Sequence, residues 1–222
     1  MFSKRAVEKR TLTFSCRDSD ELIRFLGELK KRVHGVNFTV QTRGKVVRVK
    51  VYGVRDTVKR ASAKIRETFK IIRLTTTKDS EGMYTYPYNY VVEKTGVTAP
   101  LTCIVEALKR KGYKVTAGKG EFKTDATLDE VIEVVEGLGE ALEEARWIIP
   151  TRNVRNLIAI ASYLTGIPSI ELFEYCLREG LIRERMGRYE VCKSPEKILD
   201  ELTRLKGEYL EGEDYGEEAE ED

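Results

Sequence analysis

The chain has 222 residues, 41% of them hydrophobic and 34% charged, enough apolar material for one large or two to three small domains with a real core. Its net charge of +2 hides an asymmetry: Met1 to Lys78 carries 21 Lys/Arg against 7 Asp/Glu, a net of +14, while Glu208 to Asp222 carries 9 acids and no base. No apolar run approaches the ~20 residues that cross a bilayer, and no apolar stretch follows the first basic residues, so a soluble, cytoplasmic protein with no membrane partner is expected.

Leu12, Phe14 and Cys16 alternate with Thr11, Thr13 and Ser15, which predicts a half-buried strand. Asp18 followed three positions on by Glu21 has the form of a capping box. Leu22, Phe25, Leu26, Leu29 and Val33 then recur at helical spacing, so a helix is expected from about Ser19 to Val33. Val36, Phe38 and Val40 alternate again, Thr42 to Lys45 supplies a turn, and Val47, Val49 and Val51 complete a hairpin. Val58, Ala61, Ile65, Phe69 and Ile72 draw an apolar stripe through a long basic helix. Residues 1–78 thus read as a basic β-α-β-β-α domain, with an antiparallel sheet and both helices on its apolar face. The opposite face would show Thr11, Thr13, Asn37, Thr39, Gln41, Arg48, Lys50 and Tyr52.

Leu74 to Gly82 is polar and reads as a linker. Residues 79–149 form a second α+β block. Tyr84, Tyr86, Tyr88 and Tyr90 alternate around Pro87, a pattern open to strand or helix. Thr98 and Pro100 open a helix that stops at Gly112, Tyr113 to Thr124 turns about Gly118-Lys119-Gly120, and Leu128 to Ala145 is helical. The block is β-α-β-β-α if the tyrosine stretch is a strand, or a helix pair plus hairpin close to a winged helix if it is helical. Residues 150–207 carry helices at about Val154 to Leu164 and Ser169 to Glu179, a hairpin from Leu181 to Cys192 turning at Met186-Gly187, and a helix from Pro195 to Leu205. That is a winged-helix-like order. Thr95-Gly96-Val97 and Thr165-Gly166-Ile167, each before an apolar helix that ends in Gly, echo one another. Residues 208–222 are too acidic to bury surface and are expected to be a disordered tail. Its role is solubilising, or that of an intramolecular competitor for the basic end. The fold class is α+β.

Cys16, Cys103, Cys176 and Cys192 form no C-x-x-C pair, so a zinc knuckle is not expected and all four read as buried thiols. His34 is the one histidine, so any histidine-dependent triad or metal site rests on it. No G-x-x-x-x-G-K-[ST] or G-x-G-x-x-G follows a strand. Thr124-Asp125 and Asp129-Glu130 stand near a helix start, where carboxylates serve as caps. No catalytic residue, metal or cofactor is assigned, and a non-enzymatic protein is expected.

The positive end points to a polyanion. Arg55, Lys59, Arg66, Lys70 and Arg73, at steps of 4, 7, 4 and 3, share one side of the long basic helix and suit a phosphate backbone. Lys30, Lys31 and Arg32, and the turn pair Arg43 and Lys45, extend the patch. Arg48 and Lys50 flank Tyr52 on the open sheet face, where the ring can stack on a base.

The hairpin Val36 to Tyr52, followed by Arg55-Asp56-Thr57-Val58-Lys59-Arg60-Ala61 opening the second helix, resembles KH-like domains. It is more similar still to the small dimerising subunit of the KEOPS tRNA-modification complex, and the whole chain resembles an uncharacterised archaeal protein family. The helix pair lacks the GxxG with which nucleic-acid-binding KH domains clamp a backbone, so their binding residues do not carry over. The resemblance to the KEOPS subunit implies a homodimer working through partners. The expectation is therefore an RNA- or ribonucleoprotein-associated protein, with the ribosome or tRNA as candidate partners. A dimerising scaffold subunit with little RNA contact is the alternative.

Overall fold

Period-two alternation in the first fifty residues becomes a three-stranded sheet in the computed structural model, which describes residues 7–213. Strand β1 (Val7–Ser15) leads to helix α1 (Ser19–Arg32), then β2 (Asn37–Arg43), β3 (Val46–Val54) and α2 (Arg55–Thr76). The strands pair antiparallel in the order β1-β3-β2. Leu12, Val49 and Val40 share one cross-strand row, as do Phe14, Val47 and Thr42, and this side of the pleat faces the helices. Gly44 takes φ 56 in the two-residue turn, a left-handed conformation open to glycine without a Cβ penalty.

Helix α2 lies on β1 and β3 and packs along α1. Phe14 of β1, Phe25 of α1 and Phe69 of α2 meet with centroids 4.6 to 5.3 Å apart, which ties three elements into one core. Val47, Val49, Val51, Val58 and Ile65 are fully buried around them. Ser62, Thr68 and Thr75 are buried on α2, and their hydroxyls donate to the carbonyls of Val58, Lys64 and Ile71 one turn back, which satisfies them. At the start of α1, Asp18 Oδ1 accepts the Glu21 N–H at 2.8 Å as expected. The return half of the box differs: Glu21 accepts from the Arg17 N–H at 2.6 Å and from Arg73 Nε at 3.1 Å.

Past α2, Asp79 closes a tight turn by accepting the N–H groups of Glu81 and Met83. The tyrosine stretch is then both things in succession. Strand β4 (Tyr84–Pro87) gives way at Pro87 to helix α3 (Tyr88–Thr95), with Pro87 at the N-cap, where a missing N–H costs nothing. Tyr86 and Tyr90 are buried; Tyr88 Oη donates to the Ala99 carbonyl at 2.8 Å.

The remaining elements are α4 (Leu101–Arg110), β5 (Val115–Ala117), β6 (Glu121–Thr124), α5 (Leu128–Ile148), α6 (Arg152–Thr165), α7 (Ser169–Arg178), β7 (Ile182–Arg185), β8 (Arg188–Val191) and α8 (Pro195–Glu213). The chain divides into two compact units, residues 1–86 and 87–222. The blocks expected over 79–149 and 150–207 fall together in the second unit apart from residues 79–86, and α5 packs along α6. Helix α8 continues to Glu213, into the stretch expected to be disordered, because glutamate is a good helix former. Residues 214–222 lie outside the described residues.

The second unit repeats one series twice: helix, helix, hairpin, helix, as α3-α4-β5-β6-α5 and then α6-α7-β7-β8-α8. The two Thr-Gly turns are built alike. Thr95 Oγ1 donates to Val91 O and accepts from Val97 N; Thr165 Oγ1 donates to Ala161 O and accepts from Ile167 N. Gly96 and Gly166 take φ 70 and 80, and Pro100 and Pro168 cap the next helix. At the far ends, Tyr113 N donates to Leu108 O and Leu181 N to Cys176 O, the same terminating bond past a left-handed glycine.

Four expectations are corrected in this unit. Cys16, Cys103 and Cys176 are buried, and burial pushes the Cys176 thiol up to about 12, but Cys192 is exposed just past the β7-β8 hairpin. The α5 cap is Thr127, whose hydroxyl accepts the Glu130 N–H while Glu130 reaches back to the Thr127 N–H, and these bonds hold the Glu130 carboxyl below its usual range. Thr124 and Asp125 cap nothing on α5: Thr124 Oγ1 accepts from the Ala126 N–H and Asp125 from the Lys114 N–H. Asp129 sits in the first turn without being the cap. No single helix among the described residues is long and apolar enough to cross a membrane.

Candidate nucleic-acid interface

Strand pairing puts the far side of the first sheet in rows of Lys9, Tyr52 and Asn37; Thr11, Lys50 and Thr39; Thr13, Arg48 and Gln41; and Ser15, Val46 and Arg43. None of these twelve residues is acidic. Arg43 and Arg48 are exposed, Lys50 and Tyr52 half-buried, and Lys45 is exposed in the turn. Lys9, which the sequence reading passed over, has its Nζ 5.9 Å from the Tyr52 ring centroid, a cation–π contact that holds the ring at the sheet surface. The signal was present: alternation runs back from Thr11 to Lys9 on the same face.

The helix cations are on the other side of the unit. Helix α2 covers the inner face of the sheet, so its solvent side points away from Arg48, Lys50 and Tyr52. Arg55, Lys59, Arg66 and Lys70 are all exposed along one flank, and no ion pair or hydrogen bond holds any of their side chains among the described residues. Asp56 sits in the first turn, where it complements the helix dipole, and Glu67 pairs with Lys64 at 3.3 Å. The thirteen expected RNA-binding residues therefore form two surfaces on opposite faces of one small domain. A single strand of nucleic acid cannot lie on both without passing round the edge.

Two of the thirteen have intramolecular partners. Arg73 is the partner of buried Glu21, donates from Nη2 to the Ser15 carbonyl at 2.6 Å, and stands over the Phe69 ring at 4.7 Å, so its guanidinium ties α2 to the start of α1. Arg32 pairs with Glu28 at 3.4 Å with its side chain 3% exposed. The Arg32 charge is buried, while the Arg73 side chain stays 43% exposed although two of its nitrogens are bonded within the chain. Lys30 and Lys31 are exposed at the basic end of α1, where they also complement the helix dipole.

His34 is exposed and lines a cleft of about 530 Å³ with Arg32, Thr57, Arg60 and Lys64. Among the described residues no group of three or more His, Cys, Asp or Glu is placed to hold a metal ion.

Comparison with known proteins places the chain. The model of a family described as "Uncharacterized protein conserved in archaea (DUF2067)" matches residues 14–200, which takes in both units. The chain is also similar to "Uncharacterized protein MJ0388" of Methanocaldococcus jannaschii, 32% identical over 186 residues that cover 81% of this chain and 83% of the relative.

Proposed function

The chain belongs to the archaeal DUF2067 family, and on that footing we propose that it is a non-enzymatic RNA- or ribonucleoprotein-associated protein that binds through its basic first unit. The observation that carries this reading is the row of Arg55, Lys59, Arg66 and Lys70, four exposed cations with no intramolecular partner among the described residues. The row spans about 22 Å at ~1.5 Å of rise per residue. Exposed cations with no partner of their own, in a row along one helix flank, are suited to displacing counterions from successive phosphates. The acid-free sheet face with Tyr52 is a second contact, where the ring can stack on an unpaired base. Ribosomal RNA and tRNA are the candidate ligands.

The second reading is a dimerising scaffold, favoured by one feature. Edge strand β2 keeps Phe38 and Val40 only half-buried, an apolar margin beside unpaired backbone groups that a second copy of the chain would cover.

Recovery of the full chain from native lysate at low salt, with and without nuclease, separates the two. The RNA reading expects nucleic acid on the protein, lost on nuclease treatment and stripped by high salt. A protein-only assembly whose mass ignores both nuclease and salt overturns it in favour of the scaffold.

A further inference from the structure

A cleft of about 550 Å³ in the second unit lies between the turn after α3, the C-terminal half of α5 and the first turn of α6, and Arg146, Arg152 and Arg155 all line it. Glu143 is the one acid in the lining and sits 3.5 Å from Arg146. Arg152 and Arg155 have no ion pair among the described residues. Two helices open at the same place: Pro100, the N-cap of α4, lines the cleft, and α6 begins at Arg152; neither has a side-chain cap. Their free N–H groups and positive dipole ends add to the arginine charge, so the cleft is built for an anion. Gly139 sets its floor, since a Cβ there would stand 2.5 Å from Val97 Cγ1 of the turn.

Trp147 supplies a second feature. It is the chain's single tryptophan, next to Arg146 and one helical turn beyond Glu143, and it is 82% exposed. Trp147 does not itself line the cleft, but it follows the lining residue Glu143 by one turn on the same helix, so its exposed ring at the rim is a stacking platform for a base whose phosphate the cleft holds. We infer that this cleft binds a nucleotide, with its phosphate on Arg146, Arg152 and Arg155 and its base on Trp147. No cation of the first unit takes part, so this site and the RNA surface proposed above stand or fall separately. The nucleotide is either a free mononucleotide or one unit of an RNA strand.

Trp147 is also the reporter, because all tryptophan emission comes from it. The full chain is titrated with AMP, with ATP and with a short single-stranded RNA, exciting at the red edge where tyrosine does not absorb. Saturable quenching is expected, and inorganic phosphate should reverse it by displacement. Quenching by the mononucleotides identifies a free nucleotide as the occupant; quenching by the RNA alone identifies a strand. The double variant Arg152→Gln/Arg155→Gln should bind about tenfold more weakly or worse with an unchanged circular dichroism spectrum. No binding of any of the three probes, or full affinity in the double variant, overturns the site. If that variant does not fold, failure of phosphate to displace the probe from the unaltered chain overturns it instead.

Discussion

Reversing the charge at Lys59, Arg66 and Lys70 together is expected to weaken RNA binding at low salt by on the order of 10²-fold and to make it less sensitive to salt. All three side chains are exposed on the free flank of α2 and none is bonded within the chain among the described residues, so the fold should be unaffected. Each phosphate contact contributes about −0.7 to −0.9 to the slope of log K against log salt, so losing three should remove about 2 to 3 from it. Arg73 is left out of the set because its charge is bound to Glu21 and the Ser15 carbonyl, and reversing it would break the packing of α2 on α1. A folded triple variant that retains RNA with an unchanged salt slope would remove the α2 row from the interface. The companion variant Arg48→Glu/Lys50→Glu then measures the opposite face on its own.

Gly139→Ala is expected to destabilise the second unit by about 1 to 3 kcal/mol, although alanine is the better helix former by about 1 kcal/mol. The new Cβ would lie 2.5 Å from Val97 Cγ1 and 3.1 Å from Cγ2. Those methyls sit one bond from a β-branched Cβ on a turn fixed by Gly96 and the Thr95 hydroxyl, so they cannot swing aside. Two positions within one turn of the same helix therefore differ: Gly137→Ala meets only the Tyr163 ring, at 2.5 Å, on a longer side chain that can move. Thermal unfolding of both variants checks this, with the larger fall in Tm at Gly139. A rise in Tm for Gly139→Ala would show that helix propensity prevails and that the turn is not held against α5.

Much of the first unit was legible because its two periods are clean. Thr11 to Ser15 and Val47 to Val51 alternate without interruption, and the Val58 to Ile72 stripe keeps helical spacing, so strand and helix bounds fall within a few residues of those observed. The tyrosine stretch was ambiguous for a physical reason: Pro87 ends a strand and starts a helix inside one run of alternating tyrosines, and neither period alone describes it. The duplication in the second unit showed only at Thr95-Gly96 and Thr165-Gly166. Those positions meet a backbone demand, a left-handed residue after a helix, while the core positions between them are free to exchange one apolar residue for another.

The site was legible in its charge and not in its geometry. That Arg55 to Lys70 share a flank follows from spacing, but which side of the sheet that flank joins depends on where α2 lies. That Arg73 also ties α2 to the start of α1 turns on Glu21, 52 positions away in the chain, which no local pattern reveals. Arg32 is different, since its partner Glu28 stands one helical turn back, a spacing at which ion pairs are common and visible in the sequence. Arg152 and Arg155 belong to no basic run in the sequence, and only the fold brings them into one cleft with Arg146.

The affinity of the full chain for one structured RNA, measured from low to physiological salt, tests the central claim most directly. Four unpaired cations along α2 imply a linear fall of log K with log salt and a slope of about −3 to −4. A flat dependence, or no binding at low salt, would contradict an interface built on that row.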